Sequence, residues 1–231
     1  MNDNTIMTNL DGDGIFTITF NRPEKKNAIN NAMWLGLRDA FRQAREDDDV
    51  IVTVLTGAGE DFSAGVDFSS FEGSDSEPHP FDLCLDEVYV GESVRLRFPF
   101  ASLGLVTEFA ASYLIPLTLG RQNAAELLFT AEWIDARLAV ETGIARRAYP
   151  DDELLARTME RARAMAQWPP FALREIKRLL KLPHTAGIEA ARAAEFEGMR
   201  RLAGSPENIE AITAFMEKRK PDFKKLRKQG S

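Results

Sequence analysis

The sequence predicts an α/β core followed by a helical tail, on three observations. A strand, a helix and a second, more apolar strand follow one another in the first quarter of the chain. A glycine-rich stretch comes next, and helix signals dominate from Arg121 onward. Ile15-Phe16-Thr17-Ile18-Thr19-Phe20 alternates β-branched and aromatic residues and stops at Asn21-Arg22-Pro23, which predicts a strand ended by a turn. From Asn31 the period becomes helical: Met33, Trp34, Leu37, Ala40, Phe41 and Ala44 share one face, and Arg38, Asp39, Arg42 and Arg45 lie opposite. After the acidic turn at 46–49, Val50-Ile51-Val52-Thr53-Val54-Leu55-Thr56 is apolar on both faces, the pattern of a buried parallel strand. Strand, helix and strand then form a right-handed βαβ crossover. Residues 72–80 contain no hydrophobe and two prolines, which predicts a mobile loop. Beyond it the sequence predicts a helix over 123–129, an N-cap at Asp135, and a helix opened by Asp151-Asp152-Glu153 that runs to Gln167. Further helices are expected from Pro169-Pro170 to Pro183, over 187–202, and from a cap at Ser205-Pro206-Glu207 to about Arg219. The expected division is a core over 1–120 and a helical region over 121–231.

Composition narrows the functional classes. With 231 residues, 44% of them hydrophobic, the chain can bury a sizeable core and is not a disordered tail protein. A net charge of −7 excludes a surface that is basic throughout, so no nucleic-acid partner is expected; seven basic residues and one Asp give 218–228 a charge of +6, and −7 − 6 leaves −13 for the rest. Cys84, the one cysteine, forms no internal disulfide, and His79 and His184 are too far apart for zinc-ligand spacing. No metal or cofactor is expected. Residues 1–10 have neither a signal-peptide apolar stretch nor an Arg-rich transit pattern, so the expected location is cytoplasmic. Residues 98–119 hold one charge, Glu108, but Pro99, Gly104 and Pro116 interrupt them, so no membrane span is expected.

Two features can carry chemistry. Residues 57–67 (Gly57-Ala58-Gly59-Glu60-Asp61-Phe62-Ser63-Ala64-Gly65-Val66-Asp67) leave the carboxyl end of a parallel strand, where α/β proteins bind ligands and where closely spaced amides can hold an oxyanion. A plain glycine-rich turn is the alternative reading. Dinucleotide, P-loop and nucleophile-elbow spacings are absent. Glu108 is the second feature: a carboxyl among apolar residues has a raised pKa, suited to general-base work at neutral pH. Its alternative is a loop carboxylate pointing outward.

Asn21-Arg22-Pro23-Glu24-Lys25-Lys26-Asn27-Ala28, Phe62-Ser63-Ala64-Gly65-Val66-Asp67 and Phe98-Pro99-Phe100-Ala101-Ser102-Leu103-Gly104-Leu105 together resemble the enoyl-CoA hydratase/isomerase, or crotonase, superfamily. The tail, with Ser205-Pro206-Glu207 and Ala214-Phe215-Met216-Glu217-Lys218-Arg219, is similar too. The resemblance implies a crotonase-like ββα-spiral core with a C-terminal helical trimerisation region, acyl-CoA thioester substrates, and a homotrimer or a hexamer made of two trimers. It implies that the Val66 N–H polarises the thioester oxygen and that Lys25, Lys26, Ala28, Ala64, Gly65 and Asp67 belong to the CoA-binding part. Phe215 and Lys218 match tail positions that reach the CoA of an adjacent subunit. Hydratases of the family use two glutamates, one at the position of Phe100, which moves no proton. In the Δ3,Δ2-enoyl-CoA isomerase branch the base lies further along, and Glu108 matches it, with Thr107 in place of the usual proline. The implied activity is transfer of a 3-enoyl-CoA double bond to the 2-position; a hydratase and a catalytically impaired acyl-CoA-binding scaffold are the alternatives.

The chain also departs from the family. Between residues 80 and 87 it lacks a strand, a Gly-rich turn that supplies the second oxyanion N–H, and a helix, roughly 20 to 30 residues on typical element lengths. Loss of one oxyanion donor costs about 2.7 to 4 kcal/mol of transition-state stabilisation. Cys84 reads as a small core residue rather than a nucleophile, because no basic neighbour lowers its pKa.

Overall fold

A computed structural model describes residues 4–67 and 86–227. In chain order its elements are β1 (Ile6–Leu10), β2 (Ile15–Phe20), α1 (Asn31–Glu46), β3 (Val52–Gly57), β4 (Tyr89–Gly91), α2 (Ala111–Leu119), α3 (Arg121–Thr130), α4 (Ala136–Thr142), β5 (Arg147–Tyr149), α5 (Leu154–Ala166), α6 (Pro170–Lys181), α7 (Thr185–Leu202), α8 (Pro206–Met216) and α9 (Phe223–Arg227). The expected division at residue 120 is one of element type along the chain. Packing groups the chain in another way, with residues 155–177 joining 1–84 in one unit and 85–154 joining 178–231 in the other.

In the first unit, β1 and β2 form an antiparallel hairpin. Asp11 closes its turn, accepting from the amides of Asp13 and Ile15, and Gly14 takes the left-handed φ of 78°. β2 pairs in parallel with β3, Ile15 opposite Val52 and Phe20 opposite Gly57, and α1 makes the crossover. Asn30 caps α1 by accepting from Met33 N. Met33, Leu37 and Ala40 of α1 pack on Phe16, Ile18 and Phe20, all buried, so the helical period predicted from the sequence is the one that builds this core. On the other face of the sheet Ala162 of α5 meets Ile15 and Val54. β3 is less buried than its sequence suggests: Val54 alone is fully inside, and among the described residues β3 pairs only with β2.

The second unit holds the parallel pair β4 and β5, with α2, α3 and α4 around Val90, Leu119, Leu127, Ile134 and Ala139. Asp135 caps α4 through Leu138 N, and Ser205 caps α8 through Asn208 N, both as expected. The differences are local. Asp151-Asp152-Glu153 form a turn ahead of α5 rather than its first turn, α8 stops at Met216, and a 3-10 turn at Leu182–His184 links α6 to α7. β1, β4, β5, α2 and α9 are additions to the elements expected. The loop at 72–80 and Cys84 lie outside the described residues. Among the described residues no helix is long and apolar enough to cross a membrane.

Candidate functional site

The first unit places a glycine-rich loop against the turn that follows β2. Gly57 ends β3 where a Cβ would stand 2.5 Å from Asp61 O, so no larger residue fits. Asn27 joins the two segments. Fully buried and left-handed at φ 52°, it donates from Nδ2 to Ala58 O (2.9 Å) and Asp61 O (2.6 Å), while its Oδ1 accepts from Arg22 N (2.8 Å). Ser63 Oγ donates to Asn27 O, and Ala64 N to Lys26 O. Arg22 Nη1 reaches Ala28 O at 2.6 Å and Asp67 Oδ2 at 3.1 Å, a half-buried ion pair that closes the loop.

This frame determines what Val66 can do. Ile29 N donates to Gly65 O (2.8 Å) and Asp67 N to Ile29 O (3.0 Å), a parallel bridge between Ile29 and Val66. Backbone groups alternate sides along an extended chain, so with Gly65 O and Asp67 N turned toward Ile29 the Val66 N–H faces the other way. Among the described residues it donates to nothing. Gly65, at φ 90°, has open space where a Cβ would be, so a ligand can approach the backbone beside this amide. Lys25 and Lys26 are exposed at the rim, Lys26 Nζ 3.4 Å from Asp61 Oδ2.

In the second unit Glu108 sits on the loop that leads into α2, and the C-terminal helices hold that loop. Gly104, at φ 66°, lies so close to α8 that a Cβ would stand 3.0 Å from Asn208 N, and Asn208 Nδ2 donates to Leu103 O (2.8 Å). Val106 packs on Gly198 of α7. Glu195 of α7, 6% exposed, accepts from Thr107 Oγ1 (2.9 Å), Ala110 N (2.7 Å) and Ser112 N (2.7 Å). Phe109 and Ala110 both take a left-handed φ of 58°. Glu108 is itself partly buried; burial pushes its carboxyl above the usual carboxylate range, and the Glu195 charge adds to the rise. Phe100, in the 3-10 turn before it, brings no titratable group.

Phe215 is 66% exposed at the end of α8, and the left-handed Lys218 follows it, its N–H donating to Phe215 O. Arg219 binds Glu210 (Nη1–Oε1 2.5 Å) and Glu217 (Nε–Oε2 2.6 Å), and holds the Glu210 carboxyl down at about 2.

The first unit thus brings Lys26, Ala28, Ala64, Gly65, Val66 and Asp67 into one bonded loop pair with Lys25 beside it. The second holds Glu108, Phe215 and Lys218. Sequence reasoning missed two polar residues that organise these places. Asn27 stands inside a motif that was read for its lysines. Glu195 lies 83 residues or more from the groups it binds, with no local pattern to connect them. Among the described residues no cluster of His, Cys, Asp and Glu could hold a metal ion.

The sequence profile of the enoyl-CoA hydratase/isomerase family matches residues 11–80 and 79–227, nearly the whole chain. The 2,3-dehydroadipyl-CoA hydratase of Escherichia coli is 26% identical over 242 residues, covering 91% of this chain and 95% of that protein. Since 91% of 231 residues is about 210, about 30 positions of that alignment have no residue of this chain opposite them. Enoyl-CoA delta isomerase 2 of Rattus norvegicus is 31% identical over 90% of this chain, which spans 62% of that longer protein. The crystal structure of an enoyl-CoA hydratase/isomerase from Pseudoalteromonas atlantica T6c superimposes with a TM-score of 0.87 at 28% identity, covering 95% of this chain and 99% of that one. The expected crotonase-like fold class, an α/β core with a helical C-terminal region, is borne out. With its profile matched almost end to end and its fold shared with solved members, the chain belongs to the enoyl-CoA hydratase/isomerase family of enzymes.

Proposed function

We propose that this chain is an enoyl-CoA isomerase that moves the double bond of a 3-enoyl-CoA to the 2-position. The thioester oxygen accepts a hydrogen bond from Val66 N–H, which acidifies C2. Glu108 takes the C2 proton and the C2–H electron pair moves through C1 onto the thioester oxygen, giving a dienolate; as the pair returns from the oxygen the C2=C3 bond forms and the C3=C4 pair takes the proton back from Glu108 at C4. No atom is gained or lost, so no second substrate or cofactor is required. Lys25, Lys26, Ala28, Ala64, Gly65 and Asp67 would hold the CoA portion, with Phe215 and Lys218 contributing from a neighbouring subunit of a trimer or a pair of trimers. The observation that carries this reading is the state of Glu108: a partly buried carboxyl with a raised pKa on a loop fixed by α7 and α8, while the candidate hydratase position is Phe100. A relative carries the isomerase name and another a hydratase name, so the assay must distinguish the two. Wild type and Glu108→Gln are given 3-enoyl-CoA and 2-enoyl-CoA in parallel. Double-bond migration lost in the variant, with CoA affinity kept, supports the proposal; Glu108-dependent water addition to 2-enoyl-CoA replaces it with a hydratase.

A second reading has its own support. Among the described residues β3 pairs on one side only, and about 30 aligned positions of the Escherichia coli relative have no counterpart here. A member lacking the second oxyanion N–H would bind acyl-CoA and turn it over slowly or not at all. Absence of turnover in wild type with tight CoA binding supports this second reading.

A further inference from the structure

The loop that carries Glu108 is held by a carboxylate that the proton shuttle does not use. Glu195 lies on α7, yet its three hydrogen bonds go to residues 107, 110 and 112, on both sides of residue 108 and into the first turn of α2. Two non-glycine residues in this span, Phe109 and Ala110, stand in the left-handed region, a conformation that persists only when the surroundings over-determine it. From these contacts we propose that Glu195 is a positioning residue for Glu108, clamping the backbone around it so that the base is presented in one place. The proposal rests on the reading of Glu108 as the base.

A plain structural cap explains the contacts less well. The amides of a helix start are ordinarily satisfied by a Ser, Asn or Asp next to them in sequence, whereas here Ala110 occupies the N-cap position and caps nothing. The acceptor is instead a buried carboxylate from a distant helix, which is costly to desolvate and places a like charge beside Glu108. That field makes Glu108 a stronger base. Burial is the larger cause of the raised Glu108 carboxyl and the Glu195 charge the second; α8 packs on the same loop at Gly104 through Glu207 and Asn208.

The test compares wild type, Glu195→Gln and Thr107→Val, the last keeping the charge and removing one bond. Two readouts are taken: kcat and KM with a 3-enoyl-CoA, and the titration of the Glu108 carboxyl by 13C NMR, assigned with Glu108→Gln. For Glu195→Gln the expected result is a fall in kcat of about 10- to 100-fold, the scale of a small misplacement of a reacting group, with KM within about twofold. The Glu108 titration moves to lower pH. Thr107→Val loses kcat a few-fold, also at constant KM. A folded Glu195→Gln with wild-type kcat and an unmoved Glu108 titration overturns the proposal. If Glu195→Gln does not fold, wild-type kcat in Thr107→Val overturns it. If wild type shows no isomerisation, the reading of the function fails, and the NMR titration still decides whether Glu195 acts on Glu108.

Discussion

Glu108 works against the stability of the fold that holds it. Its carboxyl is raised by burial and by Glu195, so the folded chain holds that proton more tightly than the unfolded chain. The stability it contributes is complete below the ordinary carboxylate pKa and is lost as pH rises through the raised one. At neutral pH the ionised group is therefore a burden, and Glu108→Gln is predicted to melt at or above the wild-type temperature at pH 7 while losing about 10²- to 10⁴-fold in turnover. Calorimetry and the isomerase assay check both; a lower melting temperature with activity retained contradicts the assignment. With Glu108 as the proposed base, which must be ionised to take a proton, the same raised pKa predicts an acid limb of the rate profile above that of an ordinary Glu. Asn27 is the structural counterpart in the first unit. Asn27→Ala leaves Arg22 N and the carbonyls of Ala58 and Asp61 without their partner, at about 1–3 kcal/mol for each group that stays buried. Urea denaturation is expected to show the drop, and an unchanged midpoint would show that water replaces the side chain. The burial of Glu108 was legible because it is a lone charge in an apolar stretch. Asn27 and Glu195 were not, because their roles depend on partners brought near only by folding.

Elements with local signals were readable and those made by pairing were not. α1, α4 and α8 announce themselves through helical period or through a cap next to the helix, and they start where expected, although α8 stops short of Arg219. Ser205→Ala, which removes the oxygen that accepts from Asn208 N, is predicted to cost about 1 kcal/mol in a denaturant titration, and a neutral result would show that the cap contributes nothing. β1 carries a weak alternation, with three exposed residues between two partly buried ones, and exists through its pairing with β2. β4 and β5, at three residues each, are too short to show a period. α2 contains Pro116, which argues against a helix interior, yet it forms because its starting amides are bound by Glu195 and its far end packs through Leu119. The apolar composition of β3 is that of a buried parallel strand; it pairs in parallel with β2, but among the described residues on one side only, and composition alone does not count neighbours.

For the molecule as a whole, order along the chain carried the family: separate motifs in the right succession predicted both the fold class and the enzyme class that the profile match and the superposition then supported. Assembly is the property a single chain reveals least. Large apolar side chains stand exposed on α6 (Phe171, Ile176, Leu180) and α8 (Ile209, Phe215, Met216), more than a solitary chain needs. Sedimentation is predicted to give three or six copies, and a monomer at micromolar concentration would contradict the proposed assembly. The account turns on one carboxylate moving one proton between two carbons. The direct measurement uses a 3-enoyl-CoA deuterated at C2 and follows the label by NMR as the 2-enoyl product forms. Deuterium found at C4 with wild type, and conversion slowed about 10²- to 10⁴-fold with Glu108→Gln although CoA still binds, is the predicted result; wild-type conversion by the Gln variant would contradict it.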